Sequence, residues 1–360
     1  MGAATSGNIE KILGEKAPLI DRTIEKYLPK KYNEKSMEFT FGKARYRFSA
    51  EAADKALAVP VWDLLGRGGK RWRPFLFLTT CEALGGNPKK FLDFVALIEL
   101  IHNGSLIIDD IEDSSELRRG KPCTYKIFGT DTAVNAGNFM YFAPLLVLLK
   151  SKMPEQKKLR AYEIYAQELI NIHLGQAMDI LWHRGIAEPA GEQEYLQMCA
   201  FKTGTLARLA AKLGALCAGA DEKTMETMGA LAESLGVAFQ IQDDVLNLTA
   251  ASNKGQFVKH YLGEDIHEGK RTLMVIRTLE KASATDRKRL VKILSMHTSD
   301  KKLINEAIAI LNRYGAIDYA KERAKSIVKK SWGEADKILR SSQSKDNLKA
   351  LVSFAIEREF

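Results

Sequence analysis

From Phe94 onward, apolar residues return every three or four positions (Phe94, Leu97, Ile98, Ile101), and the run ends in Asp109-Asp110-Ile111-Glu112-Asp113. That period is one face of an amphipathic helix, so an acidic cluster is predicted at a helix C-terminus. At about 100° per residue, Asp109 and Asp113 share a face roughly 6 Å apart, with Asp110 beside them. Such a tip is unfavourable by itself. Like charges repel, and carboxylates at a C-terminus oppose the helix dipole, each by roughly a few tenths of a kcal/mol or more. A cation removes the conflict, and carboxylate oxygens are hard ligands suited to Mg2+ bridging to a phosphate. Taken alone, the cluster reads equally well as a solvated acidic helix end.

A second stretch repeats the design. Phe239-Gln240-Ile241-Gln242-Asp243-Asp244-Val245-Leu246-Asn247 again brings an apolar helix to paired aspartates. Gln240, Asp243 and Asn247 fall on one face by helical spacing. Two such helices facing one another would set carboxylates around a common cavity, a site for metal ions gripping an anionic leaving group.

The helical period is sustained elsewhere, prolines number nine in 360 residues, and no long alternation of period two occurs. One large all-helical domain over residues 49–360 is therefore expected. Before it, residues 1–8 read as disordered, Ile9 to Leu28 as a peripheral helix, and Lys30 to Phe48 as a basic, aromatic connector without an assigned place. Ser49 is suited to cap a helix running to about Leu65. Met1-Gly2-Ala3-Ala4-Thr5-Ser6 fits an N-myristoylation pattern, although a flexible small-residue terminus accounts for it more simply.

The formal net charge of +9 is spread along the chain and accompanies no nucleic-acid motif, so a nucleic-acid partner is not expected. Cys81, Cys123, Cys199 and Cys217 form no CxxC pair and no zinc spacing. They read as small core residues in a reducing, cytoplasmic setting. The apolar run Phe139–Leu149 is broken by Pro144 and falls short of the ~20 residues that span a bilayer, so no transmembrane segment is expected.

Several polar stretches stand out against this background. Gly66-Arg67-Gly68-Gly69-Lys70-Arg71-Trp72-Arg73-Pro74 puts glycines and cations at the start of a helix, where cations are misplaced unless an anion joins them. It reads as a phosphate cradle, or as an ordinary basic turn. Arg118-Arg119 follows the first acidic cluster and can either neutralise it or hold a second anion by bidentate bonds. Lys202-Thr203 interrupts an apolar helix. The polar loop Thr249–Gly263 is a candidate lid, and Glu264 to Thr272 is another mixed charge patch. His173 and His183 have no partner histidine at metal spacing and read as core or network residues.

Together GGKRWRP, DDIEDSSELRRG, the Lys-Thr pair, QIQDDVLN and GEDIHEGKRT resemble the trans-isoprenyl diphosphate synthases of the polyprenyl synthase family, over roughly residues 60–275. The resemblance implies a bundle of ten or more helices around a central substrate cavity, and a homodimer to which the helix near Phe139–Leu148 contributes. It implies Mg2+, three ions, held by Asp109 and Asp113 with Asp110 supporting, and by Asp243 with Asp244 supporting. Arg118, Lys202, Gln240, Lys270 and Lys259 would contact the allylic diphosphate, with Lys254 competing for the last role. Lys70, Arg73, His102 and Arg119 match the pocket for isopentenyl diphosphate. Thr203 and Gln240 match positions that steady the carbocation and handle the departing proton. Asn247 departs from the family pattern, which has aspartate there.

Chain length is expected from the cavity floor. One turn, about 5.4 Å, before Asp109 stand Gly104 and Ser105, where members that stop at fifteen carbons carry bulk. Room there, with the bulky Tyr141, Phe142 and His173 deeper, favours a twenty-carbon product, as in the geranylgeranyl synthases. A terpene synthase on the same scaffold would have no use for Lys70, Arg73, His102 and Arg119. A silent partner subunit could lose an aspartate cluster, and this chain keeps both.

Overall fold

The computed structural model describes residues 2–188, 191–249 and 262–357. They are helical almost throughout, as the periodicity predicts. By backbone proximity the chain forms two compact units: Gly7–Ile164 with Ala210–Asp221, and Tyr165–Leu209 with Glu222–Phe360 and Met1–Ser6.

The first unit opens with α1 (Gly2–Tyr27). Its backbone is helical from Gly2, so the disorder expected over residues 1–8 is not found at residues 2–8, and Met1 lies outside the described residues; Ala3 and Ala4 are strong helix formers. Ile9, Leu13, Ile20 and Ile24 bury one face of α1. The unassigned connector holds α2 (Glu34–Phe41), started by a capping box between Asn33 and Ser36. Tyr32 and Met37 pack there with Ala53, Ala58, Phe48 and Trp62.

Ser49 does cap the next helix, accepting from Ala52 N. The run comprises α3 (Ala50–Ala53), a π-turn (Asp54–Ala58) and α4 (Val59–Gly66). Pro60 brings no N–H to the ladder, and the wider turn just before it absorbs that loss. Then follow α5 (Trp72–Ala83) and α6 (Phe94–Glu112), with Asp113 as the C-cap of α6.

A hairpin that periodicity did not signal comes next: β1 (Leu117–Arg118) antiparallel to β2 (Lys121–Pro122). Its two turn residues, Arg119 at φ 54° and Gly120 at φ 74°, are both left-handed, the mark of a type I′ turn that suits strand twist. Arg67 staples the hairpin by donating to the carbonyls of Arg118 (2.8 Å) and Pro122 (2.9 Å). Beyond it are α7 (Thr124–Phe128), α8 (Thr130–Phe142) and α9 (Leu145–Lys150), the last two parted at Pro144. Thr130–Lys150 is long and apolar enough to cross a membrane, at 21 residues and mean hydropathy 1.4, which corrects the shorter span read from the sequence. Half of that stretch is buried inside the protein, as in an ordinary core helix.

Where α6 meets α8, Gly104 leaves no open room. A Cβ there would come within 2.6 Å of Met140 Cβ and 3.1 Å of Gly137 O. The expectation that Gly104 leaves space for a growing chain is therefore corrected: its small size serves close helix packing.

The second unit takes in α10 (Glu155–His183) from Tyr165 onward, α11 (Glu192–Cys199), a π-turn (Ala200–Gly204), and α12 (Thr205–Ala218) as far as Leu209. Its axis is α13 (Glu222–Thr249), packed along the later helix Ala316–Ile338. The π-turn is clamped by glycines. A Cβ on Gly175 would sit 2.3 Å from Lys202 N, and one on Gly236 2.5 Å from Gly204 Cα. All four cysteines are free and buried.

Candidate active site

Four clusters carry the polar chemistry, two in each unit. At the end of α6 the aspartate pair divides its labour. Asp110 is buried and accepts from Arg118 Nε at 2.6 Å, while Asp109, partly exposed, accepts from Arg118 Nη2 at 3.2 Å. Burial pushes the Asp110 carboxyl above its ordinary range despite Arg118. Burial pulls on the Arg118 guanidinium the other way, yet Asp110 and Asp109 outweigh it and hold the proton. Arg118 thus neutralises the aspartates in this state, the plainer of the two roles open to it.

The second cluster gathers about the start of α5, with His102 from α6 and Arg119 from the hairpin turn. Arg73 and Arg119 are pushed down to about 10 by burial, and neither has an ion-pair partner among the described residues. Arg73 Nη1 lies 3.3 Å from His102 Nε2, which must be the acceptor, since a guanidinium offers only donors. Burial and then the surrounding Arg73, Arg119, Arg71 and Arg118 hold His102 well below its ordinary value, hence neutral. Gly69, at φ 152°, permits close approach: a Cβ there would lie 2.9 Å from Arg71 Nη1 and 3.3 Å from Arg119 Nη2. Glu99 offsets part of this charge from a distance, but buried cations outnumbering their carboxylates are costly, and an anion resolves them. Lys70 reaches Glu10 at 3.0 Å.

In the second unit, Asp243 on α13 is exposed while Asp244 is buried. Asp244 accepts from Tyr195 Oη and from Gln240 Nε2, each at 2.8 Å. That fixes the Gln240 amide, whose Oε1 accepts from Thr203 Oγ1 at 2.8 Å. Burial pushes Asp244 up to about 6. Thr203 and Gln240, paired by the resemblance, are therefore in direct contact.

The fourth cluster surrounds two lysines. Lys202 Nζ contacts Asp179 Oδ2 at 2.5 Å, and Lys270 Nζ contacts Glu268 Oε2 at 2.5 Å. Burial alone would raise Asp179, but Lys202 and Lys270 bring it below the ordinary carboxylate value. Burial drives Asp265 well above its own. Lys254, Lys259 and nearly all of the candidate lid lie outside the described residues.

The chain-length residues are scattered in environment. Ser105 Oγ donates to His102 O at 2.8 Å. Tyr141 is held above its ordinary value by burial, then by Glu112 and Asp109, so it neighbours the acidic end of α6. Phe142 is 68% exposed, and His173 is exposed with Nδ1 2.7 Å from Leu169 O. Tyr195, Asp179, Asp21 and Glu99 were not singled out by motif. A tyrosine or carboxylate in an amphipathic helix carries no local signal of its distant partner.

The carboxylates suit a hard divalent ion. Asp110 Oδ2 is buried with no hydrogen-bond partner among the described residues, and the outer aspartates offer only oxygen donors.

A family model described as polyprenyl synthetase matches residues 54–311. A short chain isoprenyl diphosphate synthase of Methanothermobacter thermautotrophicus is 36% identical over 296 residues, 82% of this chain and 88% of that one. A geranylgeranyl pyrophosphate synthase of Geoglobus acetivorans is 31% identical over 98% of this chain and 99% of its own. The crystal structure of geranylgeranyl pyrophosphate synthetase from Pyrococcus horikoshii superposes with a TM-score of 0.84 at 34% identity, covering 98% of this chain and 99% of that one. The chain belongs to the polyprenyl synthetase family. It is an all-helical trans-prenyltransferase of the isoprenyl diphosphate synthase class.

Proposed function

We propose that this enzyme joins isopentenyl diphosphate head to tail with an allylic diphosphate and releases chiefly geranylgeranyl diphosphate. The observation that carries it is the pair of buried guanidiniums, Arg73 and Arg119, which share the distant influence of Glu99 but have no ion-pair partner of their own among the described residues. A terpene synthase, which handles one diphosphate, has no use for that second anion site. Two of the relatives above are named geranylgeranyl synthases, which supports the twenty-carbon product.

In the reaction the allylic C1–O bond breaks and its electron pair leaves with diphosphate. The isopentenyl double bond attacks C1, and a proton passes from the carbon beside the new cation to an oxygen of the departed diphosphate, restoring a double bond. Asp109, Asp113 and Asp243 would hold Mg2+, with Asp110 and Asp244 behind them. The chemistry supplied by bound Mg2+ is neutralisation of charge on the departing diphosphate. Lys202, Lys270 and Arg118 would add donors to that anion. Lys70, Arg73, His102 and Arg119 hold the isopentenyl diphosphate. Gln240 Oε1 and Thr203 Oγ1, ordered by Asp244, place oxygen dipoles toward positive charge on the prenyl chain. Tyr141, Phe142, His173 and Ser105 remain our candidates for limiting chain length.

We also propose that residues 49–360 act as one catalytic domain, that the enzyme works in the cytoplasm, where four free thiols persist, and that it pairs as a homodimer. Phe142 and Leu149, both more than 60% exposed on α8 and α9, offer apolar surface for that contact. The test is incubation with isopentenyl diphosphate and each allylic starter, with and without Mg2+, followed by chromatography of the dephosphorylated products. Mg2+-dependent formation of twenty-carbon alcohol is expected. Consumption of the allylic starter without isopentenyl incorporation would overturn the reading.

A further inference from the structure

Glu10 and Asp21 are eleven residues apart on α1, about three turns, and so lie within roughly 20° of one face. That face meets two consecutive cations of the glycine-rich loop. Glu10 Oε1 accepts from Lys70 Nζ at 3.0 Å, and Asp21 Oδ1 accepts from Arg71 Nε at 3.0 Å.

The two contacts differ in kind. Asp21 is 44% exposed, but the Arg71 side chain is only 2% exposed, and it also donates to Glu99 Oε1 at 2.8 Å and to Leu65 O at 3.1 Å. Glu99 in turn accepts from Asn103 Nδ2 at 2.8 Å. Arg71 takes a left-handed backbone, φ 51°, that arginine rarely adopts, and this web of bonds holds it there. With all three guanidinium nitrogens engaged, Arg71 is a positioning residue that fixes Lys70 and Arg73 on either side. The Lys70 and Glu10 side chains keep 23% and 34% of their exposure. With both members open to water, unlike the buried Arg71, this pair is weakly bound, and a multiply charged diphosphate can displace its carboxylate.

We propose that α1 sets the affinity for isopentenyl diphosphate through two carboxylates of opposite effect. Asp21 orders the loop and strengthens binding; Glu10 occupies the Lys70 ammonium before substrate arrives and weakens it. The inference rests on the reading of Lys70 as part of the isopentenyl pocket.

Steady-state kinetics on the full-length enzyme test it, varying isopentenyl diphosphate at saturating allylic substrate and then the reverse. Glu10→Gln should lower the isopentenyl KM two- to fivefold. Asp21→Asn should raise it threefold or more, and Asp21→Glu should restore it. The allylic KM should hold throughout, and Glu15→Gln, an exposed carboxylate on the same helix, should alter neither constant. A purely structural role for α1 would move both substrates together. An unchanged or raised isopentenyl KM in active Glu10→Gln overturns the inference alone, even should Asp21→Asn fail to fold. Absence of isopentenyl incorporation by the unaltered enzyme overturns the reading of the pocket and this inference with it.

Discussion

Tyr195 donates its hydroxyl to Asp244 Oδ2 across 2.8 Å, both side chains buried. Across the other aspartate pair Arg118 does the same service for Asp110. In each pair the inner carboxylate is anchored by the protein and the outer one is left nearer solvent. Tyr195→Phe removes one hydroxyl and nothing else. A hydrogen bond to a charged group contributes roughly 1.5–3 kcal/mol. The Mg2+ concentration for half-maximal rate should rise about tenfold or more, read by titrating activity against Mg2+.

Arg118→Met should destabilise the fold. It leaves Asp110, which is fully buried, without its partner. Breaking a buried pair from one side costs about 3–5 kcal/mol. Urea denaturation should show the loss, and Asp110→Asn in the same chain should recover part of it.

Gly104→Ala and Gly175→Ala separate packing from catalysis. The first adds a methyl at the crossing of α6 and α8, where overpacking costs about 1–3 kcal/mol; thermal unfolding should register it, with product length unchanged. The second forces a methyl against the backbone of Lys202. Displacement of a substrate-positioning group by about 1 Å can cost on the order of 100-fold in rate, so Gly175→Ala should lose kcat beyond its loss of stability.

His102 gives a pH signature. Its folded value is held well below the unfolded one by burial and neighbouring guanidiniums. Below pH ~6.5 the unfolded chain takes up a proton that the folded chain refuses, so stability falls as pH falls, by at most about 1.4 kcal/mol per pH unit. Above that value the contribution is flat. Urea unfolding from pH 7.5 to 5 should show this slope, and His102→Gln should flatten it.

Periodicity and capping carried most of the architecture. The helix ending in Asp109–Asp113, the cap at Ser49 and the long helix bearing Asp243 and Asp244 were all legible, because each depends on residues within a turn or two of one another. The motifs brought forward the cations and aspartates as well. What stayed hidden depends on distance along the chain. Tyr195 meets Asp244 forty-nine residues away, and Asp21 meets Arg71 fifty away. Gly104 misled for the same reason: absence of a side chain looks identical whether a ligand or another helix fills the space. The hairpin escaped because two-residue strands have no period to detect.

That hairpin imposes a limit of its own. Arg118 serves the aspartates, and Arg119, the next residue, approaches Gly69 in the cation cluster. Only a two-residue turn with both members left-handed keeps these neighbours directed to their separate tasks. One inserted residue would slip the pairing of Leu117 with Pro122 and swing Arg119 off its target while Arg118 stayed tethered. Length variation, tolerated in most surface loops, should therefore be forbidden at this corner.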